Sequence, residues 1–164
     1  MGGSARARRA ATEPTCRLVR PGGTFEGKQG FSYAAGVSAS SAGARGICLH
    51  LLTIPPGVKG KAHLHESHET AIYTLSGQVE TWYGDRLQHH IVSRAGDFLY
   101  IPPGCPHLPA NLTDQPATCL IARTDASEQE SVKLLPELDD LVAELRAVPL
   151  VSRPADEPTR QNAA

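Results

Sequence analysis

Between Ile47 and Arg123 the chain runs in short apolar or β-branched stretches, each cut off by glycine or proline. Ile47 to Ile54, Ala62 to His65, Thr70 to Ser76, Gln78 to Tyr83, His90 to Ser93, Asp97 to Ile101 and Thr118 to Arg123 read as strands. Gly30 to Ser38 adds a further one upstream, paired at a barrel edge or with a second subunit. Pro55-Pro-Gly, Gly84-Asp and Pro102-Pro-Gly supply the turns. Seven or eight short strands with no helix among them predict an all-β barrel or sandwich. The one helical pattern comes late. Pro136 suits a first turn, and Leu138, Leu141, Val142 and Leu145 form one apolar stripe that covers barrel surface or a dimer contact.

Two of these stretches carry histidines. The first reads Gly57-Val-Lys-Gly-Lys-Ala-His63-Leu-His65, then Glu66-Ser-His68-Glu69-Thr70, and reaches Gly77. The second reads Gly96-Asp-Phe-Leu-Tyr-Ile-Pro102-Pro-Gly104-Cys-Pro-His107-Leu-Pro-Ala-Asn111. Residues i and i+2 of a strand share a face, so His63 and His65 present two imidazoles side by side. The glycine and prolines around His107 suit a turn that aims a third imidazole from a neighbouring strand. Imidazole is a common ligand of zinc, iron, nickel and copper.

This pair of motifs resembles the cupin family, whose signatures are G-x5-H-x-H-x3/4-E-x6-G and G-x5-P-x-G-x2-H-x3-N. The second matches at Gly96, Pro102, Gly104, His107 and Asn111, and the first at Gly57, His63, His65 and Gly77. The resemblance covers roughly residues 45 to 125. It implies a small double-stranded β-helix, or jelly-roll barrel, whose mouth holds one divalent metal on three histidines and usually a glutamate. Over its whole length the chain is similar to bacterial single-domain cupins labelled as predicted mannose-6-phosphate isomerases, and small cupins also act as polyketide cyclases.

One departure concerns the carboxylate. Counted back from Gly77, the family glutamate falls on Thr70, while Glu69 keeps the spacing from His65. A slip of one residue turns a strand side chain to the opposite face. Either a bulge re-aims Glu69 inward, or His68, on the face of Thr70, joins His63, His65 and His107 as the fourth ligand. Glu66 reads as solvent-facing.

His50, within the apolar run Ile-Cys-Leu-His-Leu-Leu, needs a partner if buried and is a candidate to line the cavity. Tyr73 and Trp82 are the other catalytic candidates, and with Tyr83 and Tyr100 they read as core or wall. His89 and His90 are neighbours, so they face opposite ways and cannot form one site. Asp97 reads as a turn residue, and Asn111 as a brace for the loop after His107. Cys16, Cys48, Cys105 and Cys119 contain no paired CxxC and read as free thiols of a reducing compartment, with Cys105 near the barrel mouth.

The expected organisation is a disordered basic tail over 1–20, the barrel over 21–126, a helical segment over 127–148 and a disordered tail over 149–164. Acidic and basic residues balance between 21 and 124, which gives no basic surface for nucleic acid. No apolar run approaches a membrane span, and residues 1–16 lack the apolar run of a secretory signal, so the cytoplasm is expected. The expected partners are a small-molecule substrate and a second copy of the chain in a homodimer. The function read from these residues is a mononuclear enzyme with one divalent metal (iron, zinc, manganese or nickel), acting on a small hydroxylated or carbonyl compound. Dioxygenase and isomerase or cyclase chemistries both suit it. A non-catalytic, metal-dependent binding or sensing barrel is the alternative of a different class.

Overall fold

The computed structural model describes residues 15–127 and 131–141. One antiparallel sheet has six strands. Its order is β1 (Thr24–Glu26), β2 (Ser32–Val37), β3 (Cys48–Ile54), β10 (Ala117–Arg123), β5 (Thr70–Ser76) and β8 (Phe98–Ile101). The second sheet has five strands, in the order β11 (Val132–Leu134), β4 (His63–His65), β9 (His107–Ala110), β6 (Gln78–Tyr83) and β7 (His89–Arg94). Consecutive strands cross repeatedly from one sheet to the other, which makes the jelly-roll, double-stranded β-helix barrel. A one-turn helix, α1 (Ala39–Ala42), is the α-helix whose bounds fall among the described residues.

Strand periodicity decides what lies inside. In β10, Ala117, Cys119, Ile121 and Arg123 are buried and the residues between them only half so. Tyr33 of β2, Leu52 and Ile54 of β3, and Ala117, Cys119 and Ile121 of β10 form the core between the sheets with Phe31 and Val79. A second apolar cluster lies on the back of the five-stranded sheet. There Trp82, Leu87, Leu108 and Ala110 are covered by Leu135 and Leu138 of the chain after β11. Burial of the first layer is the main force that holds the sheets together, and burial of the second holds the chain after β11 against the outer face.

Gly77, with φ of 76°, makes the tight turn by which the chain passes from β5 in one sheet to β6 in the other. A Cβ added there would meet the carbonyl oxygen of Pro116 at 2.6 Å and Cα of Ala117 at 2.8 Å. Only glycine allows both the left-handed backbone and that approach.

Every strand expected from the sequence is present, with ends shifted by a residue or two. Three were missed: β1, β9 and β11. The motif around His107 was read as a turn, yet His107 itself opens β9, because the turn ends one residue earlier. The segment Gly30 to Ser38 corrects an expectation. It is β2, hydrogen-bonded to β1 on one side and β3 on the other, so it pairs within the barrel and itself leaves no open edge for a second subunit. The expected helical segment over 127–148 is corrected in its first part. It begins with β11, which pairs with β4, followed by a 3-10 turn at Pro136–Leu138. Val142 and Leu145 of the apolar stripe, and residues 1–14 and 149–164 of the expected tails, lie outside the described residues.

Candidate metal centre

Cross-strand pairing brings the three motif histidines together. His63 on β4 stands directly opposite His107 on β9, and their ring centroids are 4.2 Å apart. His65, two residues along β4, shares the inner face, 5.2 Å from His63 and 4.9 Å from His107. All three are buried, and one ring nitrogen from each lies within 4.8 Å of the other two. The loop that delivers His107 is tied to β4, since Gly104 N–H donates to the His65 carbonyl at 2.7 Å.

The Nδ1 side of each ring is already engaged. His63 Nδ1 lies 2.8 Å from the Lys61 carbonyl, and His107 Nδ1 lies 2.9 Å from the Cys105 carbonyl. A carbonyl only accepts, so in both rings Nδ1 carries the proton and Nε2 keeps its lone pair. His65 Nδ1 meets the Thr70 hydroxyl at 2.9 Å, while its Nε2 is buried with no hydrogen-bond partner. Anchoring of one imidazole nitrogen while the other stays open is the usual second contact of a metal-bound histidine.

Electrostatics favours the same state. Burial, followed by the mutual repulsion of the rings, holds the pKa of His63 and of His65 far below the ordinary histidine value. Burial lowers His107 to about 4 against a raising contribution from its bond to the Cys105 carbonyl. Neutral imidazoles are the form that ligates.

His68 and Glu69 part company. Glu69 is exposed, and its carboxylate accepts from Tyr100 Oη at 2.8 Å on the outside of the barrel. No bulge re-aims it: Thr70 opens β5, whose register with β10 is unbroken from Thr70 to Thr74 and shifts only beyond it, pairs with Ile101 and Arg123, and turns its side chain inward. The expectation of Glu69 as fourth ligand is therefore corrected. His68 is buried and stacks on His65 with centroids 4.4 Å apart. Its Nδ1 bonds Ser131 Oγ and lies 3.6 Å from Asp125 Oδ2, and its Nε2 has no hydrogen-bond partner. It stands beside the three-histidine group rather than within it.

The catalytic candidates from the sequence lie elsewhere. His50 is buried on the inner face of β3, but its Nδ1 accepts from Gly36 N–H at 3.0 Å, its ring packs edge-on against Phe25, and it does not line the cavity. Tyr73 points out of β5 and packs on Phe98. Trp82 belongs to the outer cluster and packs on His90, whose Nε2 bonds Glu80 at 2.9 Å. Alternation explains both misses, since Thr74 and Thr81 take the inward positions beside them.

The cavity that contains the cluster measures about 40 Å³ and is walled mostly by apolar side chains from both sheets. A wider recess of about 230 Å³ adjoins it across Thr81, Leu99, Ile101 and His107, and is lined farther out by Tyr83, Tyr100 and Cys105. Three residues that line the inner cavity escaped the sequence reading: Arg123, Tyr33 and Gln29. Arg123 is 3% exposed and its Cζ lies 5.7 Å from the Tyr33 ring centroid. Its place two residues after Ile121 on a strand was the available signal.

Residues 50–123 match the cupin domain. The matched stretch runs from within β3 to the end of β10 and includes the strands that carry all three histidines. Among solved structures, a mutant oxalate decarboxylase of Bacillus subtilis is similar at 21% identity and a TM-score of 0.58, covering 69% of this chain and 30% of that one. An oxalate oxidase is similar at 17% identity and a TM-score of 0.56, covering 66% of this chain and 57% of that one. An uncharacterized double-stranded β-helix protein from Klebsiella pneumoniae is similar at 15% identity and a TM-score of 0.52, covering 71% of this chain and 88% of that one. At such identities the likeness is one of fold. The Bacillus subtilis oxalate decarboxylase contains Mn(II) centres. No curated protein sequence matches this chain. No helix among the described residues is long and apolar enough to cross a membrane.

Proposed function

We propose that this chain is a mononuclear metal-dependent cupin enzyme acting on a small hydroxylated or carbonyl-bearing compound. One observation carries the reading: three buried imidazoles have Nδ1 engaged and converge on an apolar cavity with space beside them. His63, His65 and His107 would hold the ion through Nε2, and the orphaned Nε2 of His65 fits that role. The donor set suits iron, zinc, manganese or nickel. A divalent ion there would polarise a coordinated oxygen of the substrate. The chain's own residues do the rest. Apolar walls keep water from the inner cavity, and the recess past Thr81 and Tyr83 receives the remainder of the substrate.

Between the two chemistries, the lining favours oxygen chemistry. Isomerisation and cyclisation need a group that takes a proton from carbon. Among the described residues no Asp, Glu or Lys lines the inner cavity, and the Tyr33 hydroxyl is held up in pKa, chiefly by burial. The same lack of a carboxylate supports the second reading, a barrel that binds or senses a ligand through its metal without turnover.

The deciding experiment is elemental analysis of the purified chain and of the H63A and H107A variants, each checked for fold by circular dichroism. Both variants are expected to lose most bound metal while staying folded. Full occupancy in either one sinks the ligand assignment. Iron with substrate-dependent oxygen uptake supports the oxygenase, and zinc or manganese without uptake supports isomerase or cyclase chemistry. Metal and ligand binding with no turnover supports the sensor.

A cytoplasmic setting is supported by four free thiols, two of them buried. A homodimer is also proposed, and a dimeric mass in light scattering is its test.

A further inference from the structure

Among the described residues, Arg123 is a charge with no ion-pair partner. Its side chain points inward from β10, between Cys48 and Thr70 in register, and only 3% of the residue is exposed. Its Nε and Nη1 are buried without a hydrogen-bond partner. Neither ion pair formed by a described histidine involves it, and no carboxylate lines its cavity. Tyr33 beneath it offers a cation–π contact and a side-chain hydrogen bond, neither of which reaches Nε or Nη1. Guanidinium cannot discard its proton to escape burial, as a lysine or histidine can.

The surroundings deepen the imbalance. The carboxylate that might have supplied negative charge, Glu69, lies outside the barrel. The three clustered histidines are neutral when they ligate, so a divalent ion among them would add its full charge to that of Arg123. Asp125 is engaged near His68 and is not a cavity residue. Gln29 Oε1, also buried without a partner, faces the same space.

We infer that the inner cavity is an anion site, in which Arg123 binds the carboxylate of a small organic acid. This deepens the metal-enzyme reading by naming the substrate class, and it rests on that reading only for what happens at the histidines. Guanidinium matches carboxylate in shape and charge, and the bond is strengthened by exclusion of water. Size limits the acid: about 40 Å³ is the room of a few waters, so the carboxylate end enters and any larger body occupies the recess.

The test uses the full-length chain freed of metal by dialysis, at neutral pH. Thermal melting is followed against sodium acetate, against acetamide, and against sodium chloride at equal ionic strength. Acetamide has nearly the shape of acetate without its charge. Acetate is expected to raise the melting temperature saturably, and the other two to leave it in place. R123Q should shift the acetate midpoint at least roughly tenfold higher, the loss expected for one charge-assisted hydrogen bond. The comparison of acetate with acetamide needs no variant, so it stands if R123Q fails to fold. Equal responses to acetate and acetamide, equal responses to acetate and chloride, or wild-type acetate binding by R123Q would each overturn the assignment. Metal content measured on the same preparation separates the two readings: acetate binding without metal uptake by the wild type keeps the anion site and removes the metal centre.

Discussion

Thr70 Oγ1 lies 2.9 Å from His65 Nδ1, on the position where the cupin signature carries its glutamate. The side chain at that position thus still faces the cluster, where it engages one nitrogen of His65 and leaves the other open. Its hydroxyl anchors His65 Nδ1 as the carbonyls of Lys61 and Cys105 anchor His63 and His107, although a hydroxyl can donate as well as accept and so holds the ring without fixing its tautomer.

Thr70→Val is therefore expected to weaken metal binding without removing it. The valine keeps the shape and drops the hydroxyl, so the His65 ring is free to turn. Loss of such an outer contact typically costs about 10- to 100-fold in metal affinity. Stability of the metal-free chain should change by only about 1 kcal/mol. Titration with Mn(II), followed by calorimetry, gives the first number and urea unfolding the second. Unchanged metal affinity would remove Thr70 from the site.

The fourth position separates two variants. Glu69→Gln should bind metal as the wild type does, because that carboxylate is spent on Tyr100 outside the barrel. His68→Ala should weaken binding, though less than His63→Ala, since its ring stacks on His65 and its Nε2 is open. The reverse order in a Mn(II) titration would mean that the loop before β5 rearranges when metal enters.

Acid should unfold the metal-free chain early. An unfolded histidine titrates near 6.5, whereas burial keeps His107 neutral down to about 4 in the folded state. Between those values the unfolded chain binds more protons, so stability rises with pH across that window. The contribution is complete above about 6.5 and is lost as pH falls toward 4. His63 and His65, with pKa values displaced in the same direction, steepen the loss. Urea midpoints of the metal-free chain from pH 7.5 to 4.5 should decline, and His107→Asn should flatten the decline. A pH-independent midpoint would mean that the rings are protonated and solvated when no metal is bound.

The barrel was legible in the sequence because β-branched runs and proline–glycine turns act locally. The three-histidine group was legible because His63 and His65 obey strand alternation and His107 follows a turn. What escaped notice depends on pairing across the barrel. β11 is three residues long and owes its strand form to β4. The Glu69 question turned on whether one backbone step was bulged, which residue types alone do not fix. Arg123 was obscured by its chemistry, since a charged residue at the end of an apolar strand reads as a boundary. The alternation Cys119, Ile121, Arg123 nevertheless places it inside, between Cys48 and Thr70.

Asn111 offers a stability test independent of the metal. It is fully buried, and its amide donates to the carbonyls of Ile54 at 3.0 Å and Gln115 at 2.7 Å. Its Oδ1 accepts from Thr113 N–H at 3.0 Å and from Thr113 Oγ1 at 2.7 Å. One side chain thus ties the end of β3 to the loop that follows β9. Asn111→Ala leaves buried backbone groups without partners, and a loss of about 2–3 kcal/mol is expected. Asn111→Asp should cost more at neutral pH, because a carboxylate would face two carbonyl oxygens that need donors. That excess should shrink as the pH is lowered and the carboxyl regains a proton. Urea unfolding of the two variants at pH 7 and pH 5 measures both statements, and an Asn111→Asp variant as stable as the wild type at pH 7 would show that the loop pivots away from Ile54.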